Sequence, residues 1–234
     1  MSLERHGQAT TVLRRAPRRN LVSARLVRSH ADGEVRGKAL YAVSALTRNC
    51  KEAQSAFGAA DGVGALLGVL AEGEGAPHGS RRLVRKALSL VSDLLREQRQ
   101  QASELKVTVV TDAAGGEGGG DVRPTGVGAL ELWRNASELC GAVVDCFKMR
   151  EDLDAQEKAL QALEQLMDSG LLAAGCDLPE LQKQVREYRE RCDRAIAKAE
   201  SSGQEDEEEQ DGVGNCAELA ATAKSLDKTL ATLV

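Results

Sequence analysis

Three nine-residue stretches share one arrangement of apolar and polar positions. Lys38 to Leu46 reads KALYAVSAL, Lys86 to Leu94 reads KALSLVSDL, and Lys158 to Leu166 reads KALQALEQL. The common pattern, K-A-L-x-x-[VL]-x-x-L, sets apolar side chains at i, i+3 and i+6, one stripe of an α-helix. Leu40, Val43 and Leu46, Leu88, Val91 and Leu94, and Leu160, Leu163 and Leu166 are therefore predicted to face a core. A second string, Gly-Val-Gly-Ala-Leu, occurs at Gly62 to Leu66 and again at Gly126 to Leu130, each time opening an apolar helix.

The first two Lys-Ala-Leu copies lie 48 residues apart and the next pair 72. A period in the forties is that of armadillo or HEAT units, each of two or three helices that bury their apolar face only when a neighbour stacks on it. The longer gap contains an insert at 107–125, rich in glycine, without apolar periodicity and closed by Pro124, which reads as a surface loop. Beyond Gly170 the spacing changes. Leu178, Leu181, Val185, Tyr188, Cys192, Ala195 and Ala199 alternate steps of three and four, as do Cys216, Leu219, Ala223, Leu226, Leu230 and Leu233. The two seams predict an antiparallel helical hairpin joined by the acidic stretch 201–214; self-association through either seam is the alternative. The expected architecture is all-α. Residues 1–30 form a basic arm or incomplete repeat, 31–175 an armadillo-like α-solenoid of about three repeats, and 176–234 the hairpin.

Composition narrows this further. The chain of 234 residues is 42% hydrophobic but only 2% aromatic, so its apolar content is mostly Ala, Leu and Val. Those residues suit helices, and an all-β fold is excluded. The net charge of -5 with so few stacking rings argues against nucleic-acid binding, although Arg81, Arg82, Arg85 and Lys86 cluster on one helix. No run of residues is long and apolar enough for a membrane span. The first 36 residues hold eight arginines and no apolar signal core. That segment resembles a mitochondrial transit peptide, and equally a solvated arm or an incomplete N-terminus.

Candidate chemistry is sparse. The six cysteines, Cys50, Cys140, Cys146, Cys176, Cys192 and Cys216, include no Cys-x-x-Cys pair and lie far in sequence from the three histidines, so no metal site is expected. Each cysteine reads as a small buried hydrophobe, with the redox compartment open. The Gly115 to Gly120 run lacks the Gly-Lys-Ser/Thr of a phosphate loop, and no nucleophile or zinc-protease motif is present. No catalytic residue and no cofactor is expected; a cysteine nucleophile is the one enzymatic alternative.

One segment carries a family resemblance. Val35 to Asn49 (VRGKALYAVSALTRN), Ala53-Gln54-x-x-Phe57, and Asp61-Gly62-Val63 with its helix ending Gly68-Val69-Leu70 resemble the armadillo nucleotide exchange factors of the seventy-kilodalton heat-shock chaperones. Within that family the likeness is greater to the endoplasmic-reticulum branch that serves BiP. The order of later segments agrees, so the resemblance spans about residues 21 to 234. It implies a non-enzymatic co-chaperone that grips the nucleotide-binding domain of a BiP-like chaperone and promotes ADP release, working as a monomer in the endoplasmic-reticulum lumen, or alternatively in the cytoplasm. Family members carry further armadillo helices and, in the lumenal branch, a signal sequence where this chain has its arginine-rich arm. An adaptor without exchange activity is the second reading.

If the Lys-Ala-Leu helices line the groove of such a solenoid, the stripe beside their core face is the contact surface. It comprises Tyr41 and Ala45, Ser89 and Asp93, and Gln161 and Gln165, with Arg48, Asn49 and Arg96 near the helix ends.

Overall fold

The computed structural model describes residues 22–72, 78–112, 136–149, 152–171, 176–202 and 207–233, and every regular element among them is helical. Two compact units, Met1–Asn135 and Ala136–Val234, divide the chain.

In the first unit, α1 (22–29) occupies part of what the sequence presents as a basic arm, and it buries Ala24 and Val27. Helix α2 (Gly33–Thr47) begins where the Asp32 carboxylate accepts the Glu34 N–H at 2.7 Å, satisfying one of the donors a helix start leaves open. Leu40 and Val43 are buried as expected, whereas Leu46 is only half-buried. The helix stops at Asn49, whose φ of 54° is left-handed. Gln54, on α3 (Lys51–Ala59), holds that turn: its Nε2 donates to the Thr47 carbonyl at 3.0 Å and to Glu97 Oε2 at 2.7 Å. Glu97 also accepts the Asn49 N–H at 2.8 Å.

Helix α4 (Gly62–Leu70) follows Asp61, a second left-handed residue, and buries Val63, Ala65, Leu66, Val69 and Leu70. Arg28 fixes the α3–α4 corner by bonding both the carbonyl and the carboxylate of Asp61. Arg36 ties three elements: its Nε donates to the Val27 carbonyl at 2.8 Å, and its guanidinium pairs with Glu72 after α4. No single described helix is long and apolar enough to cross a membrane; α3 and α4 together have the length but bend by 71°.

Helix α5 (His78–Asp112) carries the second Lys-Ala-Leu copy, with Leu88, Val91 and Leu94 buried. It lies parallel to α2, and contacts from α2 and the turn after it fall 45 to 49 positions further on: Gly37 beside Leu83 and Lys86, Arg48 by Asp93, Asn49 by Glu97. The 48-residue sequence period is thus also a spatial register, as stacked solenoid units require. The insert assigned to 107–125 starts later than its composition indicates, since α5 runs to Asp112; residues 113–125, and Trp133, lie outside the described residues.

The second unit holds α6 (Ala136–Asp145), a 3-10 turn (Cys146–Lys148), α7 (Leu153–Asp168), α8 (Leu178–Ser202) and α9 (Glu207–Leu233). Asp152 caps α7 by accepting the Ala155 N–H at 3.0 Å. Gln156, fully buried, donates to the Phe147 carbonyl at 2.9 Å, repeating on α7 what Gln54 does on α3. Leu160, Leu163 and Leu166 fill the core. The hairpin α8–α9 is antiparallel. Its seam buries Leu181, Val185, Tyr188 and Cys192 against Cys216, Leu219, Ala223, Leu226 and Leu230, and α9 also packs on α7. The α8 seam ends sooner than its spacing implies, because Ala195 is exposed. The acidic stretch 201–214 is likewise helical at both ends, through Ser202 and from Glu207 on.

The cysteines differ from expectation. Cys140 on α6 and Cys176 before α8 form a disulfide, with Cα atoms 5.5 Å apart; Cys146, Cys192 and Cys216 are buried thiols, and Cys50 is half-exposed. Sequence spacing carries no information on this pair, since 36 residues and α7 separate its ends. A crosslink closing that loop limits the unfolded chain, a contribution of about 3–4 kcal/mol. Reduction with dithiothreitol is expected to lower the melting temperature of the second unit, and to lower it less in Cys140→Ala/Cys176→Ala, as followed by differential scanning calorimetry.

Candidate partner-binding face

On α2, Glu34, Lys38, Tyr41, Ala45 and Arg48 form a single exposed stripe, opposite the Leu40 and Val43 that anchor the helix. Tyr41 is 74% exposed, one of the few large apolar side chains on the described surface. The aligned positions on α5 are Arg82, Lys86, Ser89, Asp93 and Arg96, of which Arg82 and Arg96 are exposed and the others half-buried. Because α2 and α5 run parallel in the repeat register, the two stripes lie side by side.

Ion pairs organise the rim. Asp93 lies 3.9 Å from Arg48 across the helices and pairs with Arg96 on its own. Glu34 and Lys38 pair at 2.8 Å one turn apart, and the hydrogen bond to Glu34, reinforced by its charge, raises the Lys38 pKa. The Ser89 hydroxyl is engaged by the Arg85 carbonyl of the previous turn at 3.1 Å. The face carries Lys38, Arg48, Arg82, Lys86 and Arg96 against Glu34 and Asp93, and is basic in a chain whose net charge is -5.

Seven of the nine residues expected at the contact surface, Tyr41, Ala45, Arg48, Asn49, Ser89, Asp93 and Arg96, therefore fall in one region of the first unit. Asn49 has a further part in ending α2. Gln161 and Gln165 are on α7 of the second unit. Gln161 is exposed and donates to Glu157 at 2.9 Å, while Gln165 is half-buried with its Oε1 unpartnered. Sequence reasoning missed Gln54 and Glu97, which set the turn that presents Arg48. A signal for Glu97 did exist, since it stands 48 residues after Asn49.

The other titratable groups with displaced pKa lie in the second unit. Burial, and then the Asp145 charge, pushes the Cys146 thiol up to about 12. Burial raises Tyr188 as well, whose ring meets Phe147 edge-on at 5.5 Å. Burial followed by the neighbouring Asp168 raises Glu164. Among the described residues no group of three His, Cys, Asp or Glu could hold a metal ion. An exposed, basic surface with one prominent ring is suited to a protein partner, where Tyr and Arg are the usual anchors.

Residues 21–226 match the protein family described as the SIL1/FES1/HPBP1 C-terminal domain. No curated protein and no solved structure matches the chain.

Proposed function

The chain belongs to the SIL1/FES1/HPBP1 C-terminal domain family, non-enzymatic nucleotide exchange factors that bind the nucleotide-binding domain of Hsp70 chaperones, and from that premise we propose that it engages its chaperone through the α2–α5 face. Exchange needs no group that titrates or attacks. It requires only that the factor bind the open, nucleotide-poor chaperone more tightly than the ADP-bound one, because binding shifts an equilibrium by its differential affinity. The parallel α2–α5 pair is held by Gln54, Glu97 and Asp93, so it meets the chaperone as a preformed surface and loses little entropy on binding.

The partner in this reading is BiP-like and the compartment the endoplasmic-reticulum lumen. The observation that carries it is the Cys140–Cys176 disulfide, since such bonds persist in oxidising compartments and are rare in the cytosol. The protein acts as a monomer. The apolar seams of α8 and α9 are consumed in the hairpin, and Val22, Tyr41 and Leu153 are the exposed large hydrophobics of the described surface.

Stopped-flow release of labelled ADP from purified nucleotide-binding domains is the test, with a lumenal BiP-type domain compared against a cytosolic Hsp70 domain. The expected outcome is acceleration of both, larger for the lumenal one. It should weaken as salt rises from 50 to about 300 mM, because exposed charges are screened over a Debye length of roughly 8 Å at physiological ionic strength. Preference for the cytosolic domain would reverse the lumenal assignment. Binding to the open domain without acceleration would make the protein an adaptor.

A further inference from the structure

Cys192 and Cys216 are opposed thiols inside the hairpin. Both occupy the seam, and they are 2% and 5% exposed. Their pairing follows from the helix register. Gln182 Nε2 meets Asp227 Oδ1 at 3.2 Å; ten residues forward along α8 is Cys192, and ten back along antiparallel α9 is residue 217, next to Cys216. Arg189 and Arg186 reach the same Asp227 from α8, at 2.9 and 3.7 Å, which fixes the helices against sliding. The Cys216 thiol is a close electrostatic neighbour of Cys192. Tyr188, one turn before Cys192, has a fully buried hydroxyl without a well-formed hydrogen bond and sits against the same thiol.

We propose that Cys192 and Cys216 are a second redox pair, closing to a disulfide that staples α8 to α9. Each thiol gives up its proton and the two sulfurs together lose two electrons. The acceptor is a disulfide, borne by a protein oxidoreductase or a small molecule such as oxidised glutathione. One cysteine thiolate attacks that disulfide and expels one thiol. The other cysteine then attacks the mixed disulfide and expels the second, so that the donor leaves as two thiols. The Cys140–Cys176 bond already present shows that the fold accommodates an oxidised pair. The new bond would enclose the whole α8–α9 connection, residues 203–206 included.

Burial controls when the bond forms. It lifts the Cys192 thiol to about 11, so the thiolate that must attack is scarce in the closed hairpin at neutral pH. Closure is consequently fast while the hairpin is open during folding. In the native protein it is slow, and quickens as pH rises toward that value. The pair does not depend on which chaperone the protein serves.

The full chain, refolded in oxidised and reduced glutathione and then denatured and alkylated, supplies the test. With Cys140–Cys176 formed, alkylatable thiols should fall from four to two, and peptide mapping should recover a Cys192–Cys216 crosslink lighter by two hydrogens. The melting temperature of the oxidised chain should exceed that of the chain with four thiols by about 5 °C or more. Cys216→Ala should keep three thiols and show no such gain. Four alkylated thiols after complete Cys140–Cys176 oxidation, or a crosslink from either residue to Cys50 or Cys146, would overturn the assignment. Both readouts come from the wild-type chain, so they survive a variant that does not fold.

Discussion

Tyr41→Ala combined with Arg48→Glu should reduce the acceleration of ADP release roughly a hundredfold at subsaturating protein, with the helical circular dichroism signal and melting temperature unchanged. Each side chain is of a type that, at the centre of an interface, costs about 2 kcal/mol or more when truncated. Shared surroundings make the pair less than additive, and tenfold in affinity corresponds to about 1.4 kcal/mol. Stability is spared because Tyr41 is 74% exposed and the Arg48–Asp93 pair, at 3.9 Å on the surface, contributes at most about 1 kcal/mol. Arg48→Glu also places a like charge beside Asp93 and removes most of the positive excess of the face. Stopped-flow release over a concentration series separates weaker binding from a lower plateau. Wild-type acceleration in this double variant would remove the α2–α5 face from the mechanism, leaving Gln161 and Gln165 on α7 to be tested in the same assay.

Helix-level structure was legible in the sequence wherever a stripe repeats, because the period of a buried face is written in single residues. Leu88, Val91 and Leu94, and Leu160, Leu163 and Leu166, are buried as their spacing implies, and the 48-residue period became the α2–α5 register. Leu46 is only half-buried and Ala195 is exposed, so the spacing overstates the buried face at these two positions. Charge density misled at the acidic stretch. The backbone is already helical from Glu207, where α9 begins. The candidate face was legible as two stripes. Its fastening was not, because Gln54 and Glu97 act through backbone groups of a turn whose conformation is set only once α2, α3 and α5 are packed together. The Cys140–Cys176 bond was hidden for the same reason: two cysteines on different segments meet through the fold, with no local signature.

Gly62→Ala is expected to destabilise the first unit by about 1–3 kcal/mol, the range for forcing extra atoms into a well-packed core. A methyl at Gly62 would overlap the buried Phe57 ring. Relief by backbone movement is restricted, because Asp61 just before it is held left-handed and bonded through its carbonyl and carboxylate to Arg28. Phe57→Ala, which empties a site 1% exposed, should cost about 3–5 kcal/mol. If the methyl and the ring compete for the same space, the double variant must be less unstable than the sum of the two, since the new methyl then fills part of the cavity. Gly68→Ala is the control. No heavy atom lies within 4 Å of a Cβ there, and the exposed position on α4 should gain about 0.5–1 kcal/mol from the better helix former. Urea midpoints at constant slope measure all four variants. A Gly62→Ala chain as stable as Gly68→Ala would mean that Phe57 does not pack on the opening turn of α4, and that the Asp61 corner tolerates a shift its bonds to Arg28 should prevent.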